Sequence, residues 1–218
     1  MRYHELLELI EEGEDIQCEF KRKFSTHEKI AREMIAFANT KGGCILFGVD
    51  DDKKIVGVES EKETTELVKE TALNFCEPKL DYGVEFKEVN GKEIVIVSIP
   101  ESNQKPHRLQ DYENVLDINT AIVTIRVNDK SVQASKEMIR ILRAQGTKAA
   151  LKKYVVGPSE KSVFDYLAKN EKISVKELSN LINISERRAS RTLVKMVRAN
   201  LLNIHTKDND EEFFTAAM

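Results

Sequence analysis

The sequence predicts a mixed α+β chain: a mixed sheet with packed helices over residues 1–146, a linker at 147–158 and a small helical domain at 159–218. Three observations lead there. Stretches whose apolar residues return every three or four positions are interspersed with short apolar runs and alternating segments, without the strict strand–helix repetition of an all-parallel sheet. Asn90-Gly91 separates two strand-like segments, a strong hairpin signal. Gln145 to Pro158 combines two glycines and a proline with Lys148, Lys152 and Lys153, as connecting segments do.

Of the 218 residues, 41% are hydrophobic and 33% charged, enough for one or two domains with a buried core and a well-charged surface. No apolar run approaches the roughly 18 residues of a membrane span, and Met1-Arg-Tyr-His-Glu has no signal-peptide pattern. A cytoplasmic protein without a membrane partner is therefore expected. Cys18, Cys44 and Cys76 stand far apart in apolar contexts, which favours reduced, buried thiols over disulfides or a zinc site. None of His4, His27, His107 and His205 has a neighbour at ligand spacing. With a formal charge of −3, the chain would need a local basic patch to bind nucleic acid.

Taken in order, Tyr3 to Glu12 reads as a helix with Leu6, Leu9 and Ile10 inward, closed by Gly13. Ile16 to Lys21 alternates, with Ile16, Cys18 and Phe20 on one face. Ile30, Met34, Phe37 and Ala38 share a helical face, Ser25 and Glu28 have the form of a capping box, and Asn39 with Gly42-Gly43 should end that helix. Cys44 to Val49 is a buried strand, Asp51 to Lys54 a polar turn, and Ile55 to Val58 a returning strand. Glu63 to Phe75 is a helix stopped by Pro78. Val84 to Val89 and Lys92 to Ile99 flank the Asn90-Gly91 turn, and the unbroken apolar run Ile94 to Val97 suggests cover on both faces. Pro100 to Asn119 is a loop with an extended piece at His107 to Leu109, and its basic run Lys105 to Arg108 reads as solvated, with a phosphate contact as the alternative. Ala121 to Val127 is a strand, and Ser135 caps a helix carrying Met138, Ile139 and Leu142.

Several of these segments form a recognisable series: Glu19-Phe20-Lys21, Ala36 to Thr40, Gly42-Gly43, Gly48 to Asp51, Val56 to Val58, Lys105-Pro106-His107, and Ile125-Arg126-Val127 followed by Ser131 and Ala134-Ser135. The series resembles the Schlafen/AlbA-like domain, formerly described as a divergent AAA-type domain, over about residues 1 to 146. Asn128 departs from it, since the family more often has Gly after R-V. In relatives that cut RNA, a Glu, a second Glu five residues on and a later Asp bind Mg²⁺ or Mn²⁺. The resemblance carries those positions onto Glu14, Glu19 and either Asp50 or Asp52, with Asp50 the choice adopted. No G-x-x-x-x-G-K-[ST] phosphate loop is present, and no cofactor is expected outside the nuclease alternative.

In the C-terminal domain, Ser159 to Asn170 is a helix, Ser174 and Glu177 form a capping box opening a short second helix, and Ser185 caps a third. Leu201 to Ile204 and Glu212 to Ala216 pair as a hairpin. Three helices and a hairpin resemble a winged helix-turn-helix of the bacterial regulator type. The third helix exposes Arg187, Arg188, Arg191, Lys195 and Arg198, and the spacing of Arg187, Arg191, Lys195 and Arg198 keeps those four on one stripe. Such a stripe fits phosphates and base edges in a major groove, whereas Asp208, Asp210, Glu211 and Glu212 make the hairpin acidic. The expectation is a DNA-binding transcriptional regulator, a homodimer or higher homo-oligomer with double-stranded DNA as partner. Its N-terminal domain would serve oligomerisation, nucleic-acid contact or sensing. The alternatives are a metal-dependent ribonuclease, with RNA as substrate, and a non-enzymatic interaction module.

Overall fold

The computed structural model describes residues 1–147, 154–207, 209 and 211–217. Leu6 and Ile10 share the buried face of α1 (Tyr3–Glu12), which ends where the Gly13 N–H donates to the Leu9 carbonyl. Next come β1 (Cys18–Lys21), α2 (His27–Asn39) and β2 (Gly43–Phe47). β1 and β2 are parallel, a pairing that requires a crossover, and α2 supplies it. The cap of α2 is Thr26 rather than Ser25, because extended backbone continues to Thr26 and its hydroxyl accepts from the Lys29 N–H at 3.3 Å.

The strand expected from Ile55 to Val58 does not form. Gly48 has a φ of +97°, and a Cβ there would lie 2.9 Å from the Glu93 carbonyl, so the chain turns out of the ladder after Phe47. A single Val49–Ile55 bridge remains, with the N–H groups of Val56 and Gly57 donating to the Gly48 carbonyl. α3 (Glu61–Asn74) starts two residues ahead of expectation, on Ser60, whose Oγ accepts from the Glu63 N–H at 3.1 Å.

β3 (Cys76–Glu77) leads to the hairpin of β4 (Gly83–Val89) and β5 (Lys92–Ile99). Its turn is the expected one, with Asn90 at φ +53° and Gly91 at +75°. The main sheet runs in the order β1-β2-β5-β4. Ile94 and Ile96 of β5 join Leu6, Ile10, Cys18 and Phe20 on the α1 face. Val95 and Val97 join Ile30, Met34, Phe37, Val68 and Ala72 on the opposite face, under α2 and α3. Each fully buried side chain of this size contributes about 1.5–3 kcal/mol, so cover on both faces is what makes β5 an unbroken apolar run.

Two small ladders complete the N-terminal part. β6 (Arg108–Leu109) pairs with β3, and β7 (Thr124–Val127) pairs with β8 (Lys130–Gln133) around Asn128, which sits at φ +53°. The family's Gly would serve that conformation equally well. β8 is an addition to the expected strands, since Val132 is its only apolar residue.

α4 (Lys136–Gly146) is capped as predicted, the Ser135 hydroxyl accepting from the Met138 N–H at 3.0 Å. The chain divides into two compact units, Met1–Gln133 and Ala134–Met218, so α4 is grouped with the C-terminal one, whereas the sequence pattern places the end of the first domain at 146. Lys148, Lys152 and Lys153 of the expected linker lie outside the described residues.

The second unit continues with α5 (Pro158–Leu167), α6 (Val175–Leu181), α7 (Glu186–Arg198) and the antiparallel pair β9 (Leu202–Thr206) and β10 (Glu212–Ala216). The capping box of α6 is present, with Ser174 and Glu177 each accepting from the other's backbone N–H. Ser185 stands at the N-cap of α7, yet its hydroxyl makes no capping bond, a correction to the sequence reading. Val163, Ile173, Leu178, Ala189, Leu193, Met196, Leu202 and Phe214 form the core. Ile173 and Phe214 exchange two backbone hydrogen bonds, tying the segment before α6 to the hairpin. No helix among the described residues is long and apolar enough to cross a membrane.

Candidate nucleic-acid interface

On α7 the apolar residues decide where the cations point. Ala189, Leu193 and Met196 are fully buried, which leaves Arg187, Arg188, Arg191 and Lys195 exposed and Arg198 half-buried. None of the four exposed cations makes an ion pair among the described residues. The stripe is also divided. Arg191, Lys195 and Arg198 line a groove of about 510 Å³ with Arg140, Arg143, Ala144 and Thr147, whereas Arg187 and Arg188 stand outside it in the first turn. Arg140 is held in place by Glu137 and by the Ser190 hydroxyl, both at 3.0 Å.

The hairpin is less acidic than its composition suggests. Lys207 pairs with Glu211 at 2.7 Å, and burial, aided by the charge of Glu137, pushes the Glu212 carboxyl up to about 7. Asp208 and Asp210 lie outside the described residues.

In the N-terminal unit the segments singled out in the sequence converge on one buried polar network. Arg126 donates to Glu19 at 2.7 Å, Glu33 at 3.1 Å, Ser131 at 3.3 Å and the carbonyls of Asp15 at 2.7 Å and Cys18 at 3.4 Å. Its guanidinium also lies over the Phe37 ring. Lys21 takes the other oxygen of Glu19, and Ser131 donates to Glu33. Asn39, at the end of α2, donates to the carbonyls of His107 (2.9 Å) and Thr124 (3.0 Å) and accepts from the His107 N–H (2.8 Å). Thr40 accepts from the Arg126 N–H at 3.0 Å, and Lys105 donates to the Thr40 carbonyl at 3.1 Å. Lys105, His107 and Arg108 are all buried, so the solvated loop expected at Lys105 to Arg108, and with it the alternative of a phosphate contact, is corrected: these side chains fasten the loop to the domain. Burial moves the His107 imidazole below its ordinary pKa, and its two ring nitrogens are held by the Pro78 carbonyl and the Ser102 hydroxyl.

The Schlafen, AlbA_2 family matches residues 14–135, more than half of the chain. The chain belongs to this family. Among solved structures it is similar to the N-terminal domain of a RecG-related protein from Nitrosomonas europaea, with 26% identity and a TM-score of 0.44 over 53% of this chain and 84% of that one. It is also similar to the DIP2311 protein from Corynebacterium diphtheriae, with 19% identity and a TM-score of 0.43 over 60% of this chain and 27% of that one.

Within the AlbA_2 domain, the three acids carried over from the family are engaged separately. Glu14 precedes β1 and curls back, its carboxylate accepting from the Phe20 N–H at 2.8 Å. Burial and the neighbouring Glu19 charge raise its pKa, against that hydrogen bond. Glu19 gives both oxygens to Lys21 and Arg126, and Asp50 pairs with Arg22 at 2.7 Å. A divalent cation needs several carboxylate oxygens converging on one point. Among the described residues no three His, Cys, Asp or Glu side chains are gathered that way, so this arrangement does not fit a metal ion.

Sequence reading misses Glu33, Arg140 and Arg143, and it names Arg126 as part of the Ile125-Arg126-Val127 segment without its buried ion pairs. A lone Arg in the apolar strand Thr124–Val127 is the available signal, since a buried guanidinium requires carboxylate partners. The two arginines of α4 escape notice because the periodicity of that helix speaks only for its apolar face. Cys18, Cys44 and Cys76 are buried free thiols, and burial pushes Cys76 up to about 12.

Proposed function

We propose that the chain is a DNA-binding transcriptional regulator whose C-terminal unit acts as a winged helix-turn-helix. In this reading α7 is the recognition helix, and its first turn enters the major groove of duplex DNA. The AlbA_2 domain serves oligomerisation, further nucleic-acid contact or sensing, in a homodimer or higher homo-oligomer. The observation that carries the reading is the set of cations on α7: Arg187, Arg188, Arg191 and Lys195 are exposed, free of acidic partners among the described residues, and held in line by the buried Ala189, Leu193 and Met196. Arg32, by contrast, pairs with Glu28 one turn away on its own helix. The pairing of Glu211 with Lys207 and the raised pKa of Glu212 remove part of the repulsion that the hairpin's composition implies. Residues opening the helix, Arg187 and Arg188, are assigned to base edges and nearby phosphates, and Lys195 to the backbone.

The test is a fluorescence-polarisation titration of the full chain against duplexes from its own gene neighbourhood at two salt concentrations. Arg188→Ala should cost about 1–3 kcal/mol on the cognate site and relax preference at one base pair. An Arg187→Ala/Arg188→Ala variant that binds like wild type would remove the recognition helix from the account.

A further inference from the structure

The groove between α4 and α7 is not explained by a recognition helix alone. It brings Arg140 and Arg143 of α4 to Arg191, Lys195 and Arg198 of α7, with no acidic side chain among its lining. Like charges in one concavity repel one another, and a ligand gains from cancelling those that, unlike Arg140 with Glu137, are not already paired with an acid. Glu137 and Ser190 hold the Arg140 fork in place, so its geometry is set before anything binds. Arg143, Arg191 and Lys195 have no ion-pair partner among the described residues. Ala144 and Val194 contribute an apolar floor that competes for none of these donors. The volume of about 510 Å³ falls in the range of small-ligand sites.

We infer that the α4–α7 groove is a phosphate-binding site that takes two or more neighbouring phosphate groups. Guanidinium forks match phosphate oxygens in bidentate pairs, and several such pairs in one groove favour a ligand with several phosphates over a single carboxylate. Those phosphates come either from successive phosphodiesters of a nucleic-acid backbone or from a soluble polyphosphate. The first source rests on the regulator reading, because Arg191, Lys195 and Arg198 belong to both; the second stands without it. Either way α4 becomes a working part of the C-terminal unit.

Arg143 is exposed and tied to no acidic partner among the described residues, so Arg143→Gln tests the groove without disturbing the core. Ala144→Glu is a second variant, placing a carboxylate in the floor. The 218-residue chain of the wild type and of each variant is titrated with a random-sequence duplex by polarisation and with inorganic pyrophosphate by thermal shift at constant ionic strength. If the groove holds backbone, both variants weaken duplex binding at least about threefold and lower the salt slope by about one for each phosphate no longer neutralised, whether or not pyrophosphate shifts the melting temperature. If it holds soluble polyphosphate, pyrophosphate raises the wild-type melting temperature, both variants abolish the rise, and duplex affinity is unaltered. Variants that match wild type with both probes overturn the groove, even if the Arg187/Arg188 variant loses DNA. Pyrophosphate binding through Arg143 in a protein that binds no duplex upholds the groove and overturns the regulator reading alone.

Discussion

Replacing Arg126 by Met should destabilise the AlbA_2 domain by about 3–5 kcal/mol, the range for breaking a buried ion pair from one side. The size follows from what the substitution strands. Glu19, 7% exposed, keeps Lys21 but loses its 2.7 Å partner, and Glu33 keeps only the Ser131 hydroxyl. The carbonyls of Asp15 and Cys18 lose their guanidinium donor, and Phe37 loses the cation above its ring. Met fills much of the volume, so the loss is electrostatic rather than a cavity. Urea unfolding of the full chain, followed by amide exchange at β1 and β2, isolates the domain from the C-terminal unit. Burial and the Glu19 charge already raise the pKa of Glu33, and removing the cation raises it further. The folded variant then holds a proton that the unfolded chain releases, so its deficit should shrink as the pH falls from neutrality toward the ordinary carboxylate range. A loss below about 1 kcal/mol, or one that does not change with pH, would refute the network as a stabilising unit. A double-mutant cycle with Glu19→Gln should give a coupling of about 1–3 kcal/mol.

Gly43→Ala should cost about 1–3 kcal/mol through overpacking, because a Cβ there would press on the Phe37 ring and lie 2.5 Å from the Gln17 carbonyl; an unchanged melting temperature would contradict it. Glu212 sets the pH response of the C-terminal unit. Its carboxyl titrates at about 7 when folded against a reference of 4.5, so the folded state binds more protons between those values and stability falls as pH rises through that window. The change should be about 1–3 kcal/mol, seen as a melting transition that moves down between pH 5 and pH 8, and Glu212→Gln should flatten it. Asn128→Gly keeps the φ of +53° but gives up the side chain and its interactions, so it should be neutral or slightly destabilising in thermal melts.

Local chemistry made much of the fold legible. Asn90-Gly91 dictates a two-residue turn, Ser135 and the Ser174/Glu177 pair announce helix starts, and the run Ile94 to Val97 announces a strand covered on both faces. Where reading failed, a longer-range interaction had won. Ile55 to Val58 has strand composition, but Gly48 turns the chain away and leaves one bridge. Gly42-Gly43 does mark the helix-to-strand junction, for two different reasons: Gly42 has a φ of +74°, while Gly43 is required by the approach of Phe37 and Gln17. Nothing local distinguishes them.

By itself, then, the sequence determined most element types, the Ser135 and Ser174 caps, the Asn90-Gly91 turn, the family, and which face of α7 carries charge, because these depend on residues within a few positions of one another. The tertiary structure alone decided the partners. Arg126 meets Glu19 and Glu33 across 107 and 93 residues, and Asn39 meets His107 across 68, distances at which no spacing pattern survives. The same holds for the groove, where Arg143 of one helix and Arg191 of another become neighbours only when α4 packs on α7. Charge type is written locally, but whether a charge is buried, paired or left free for a ligand depends on what the folded chain brings beside it.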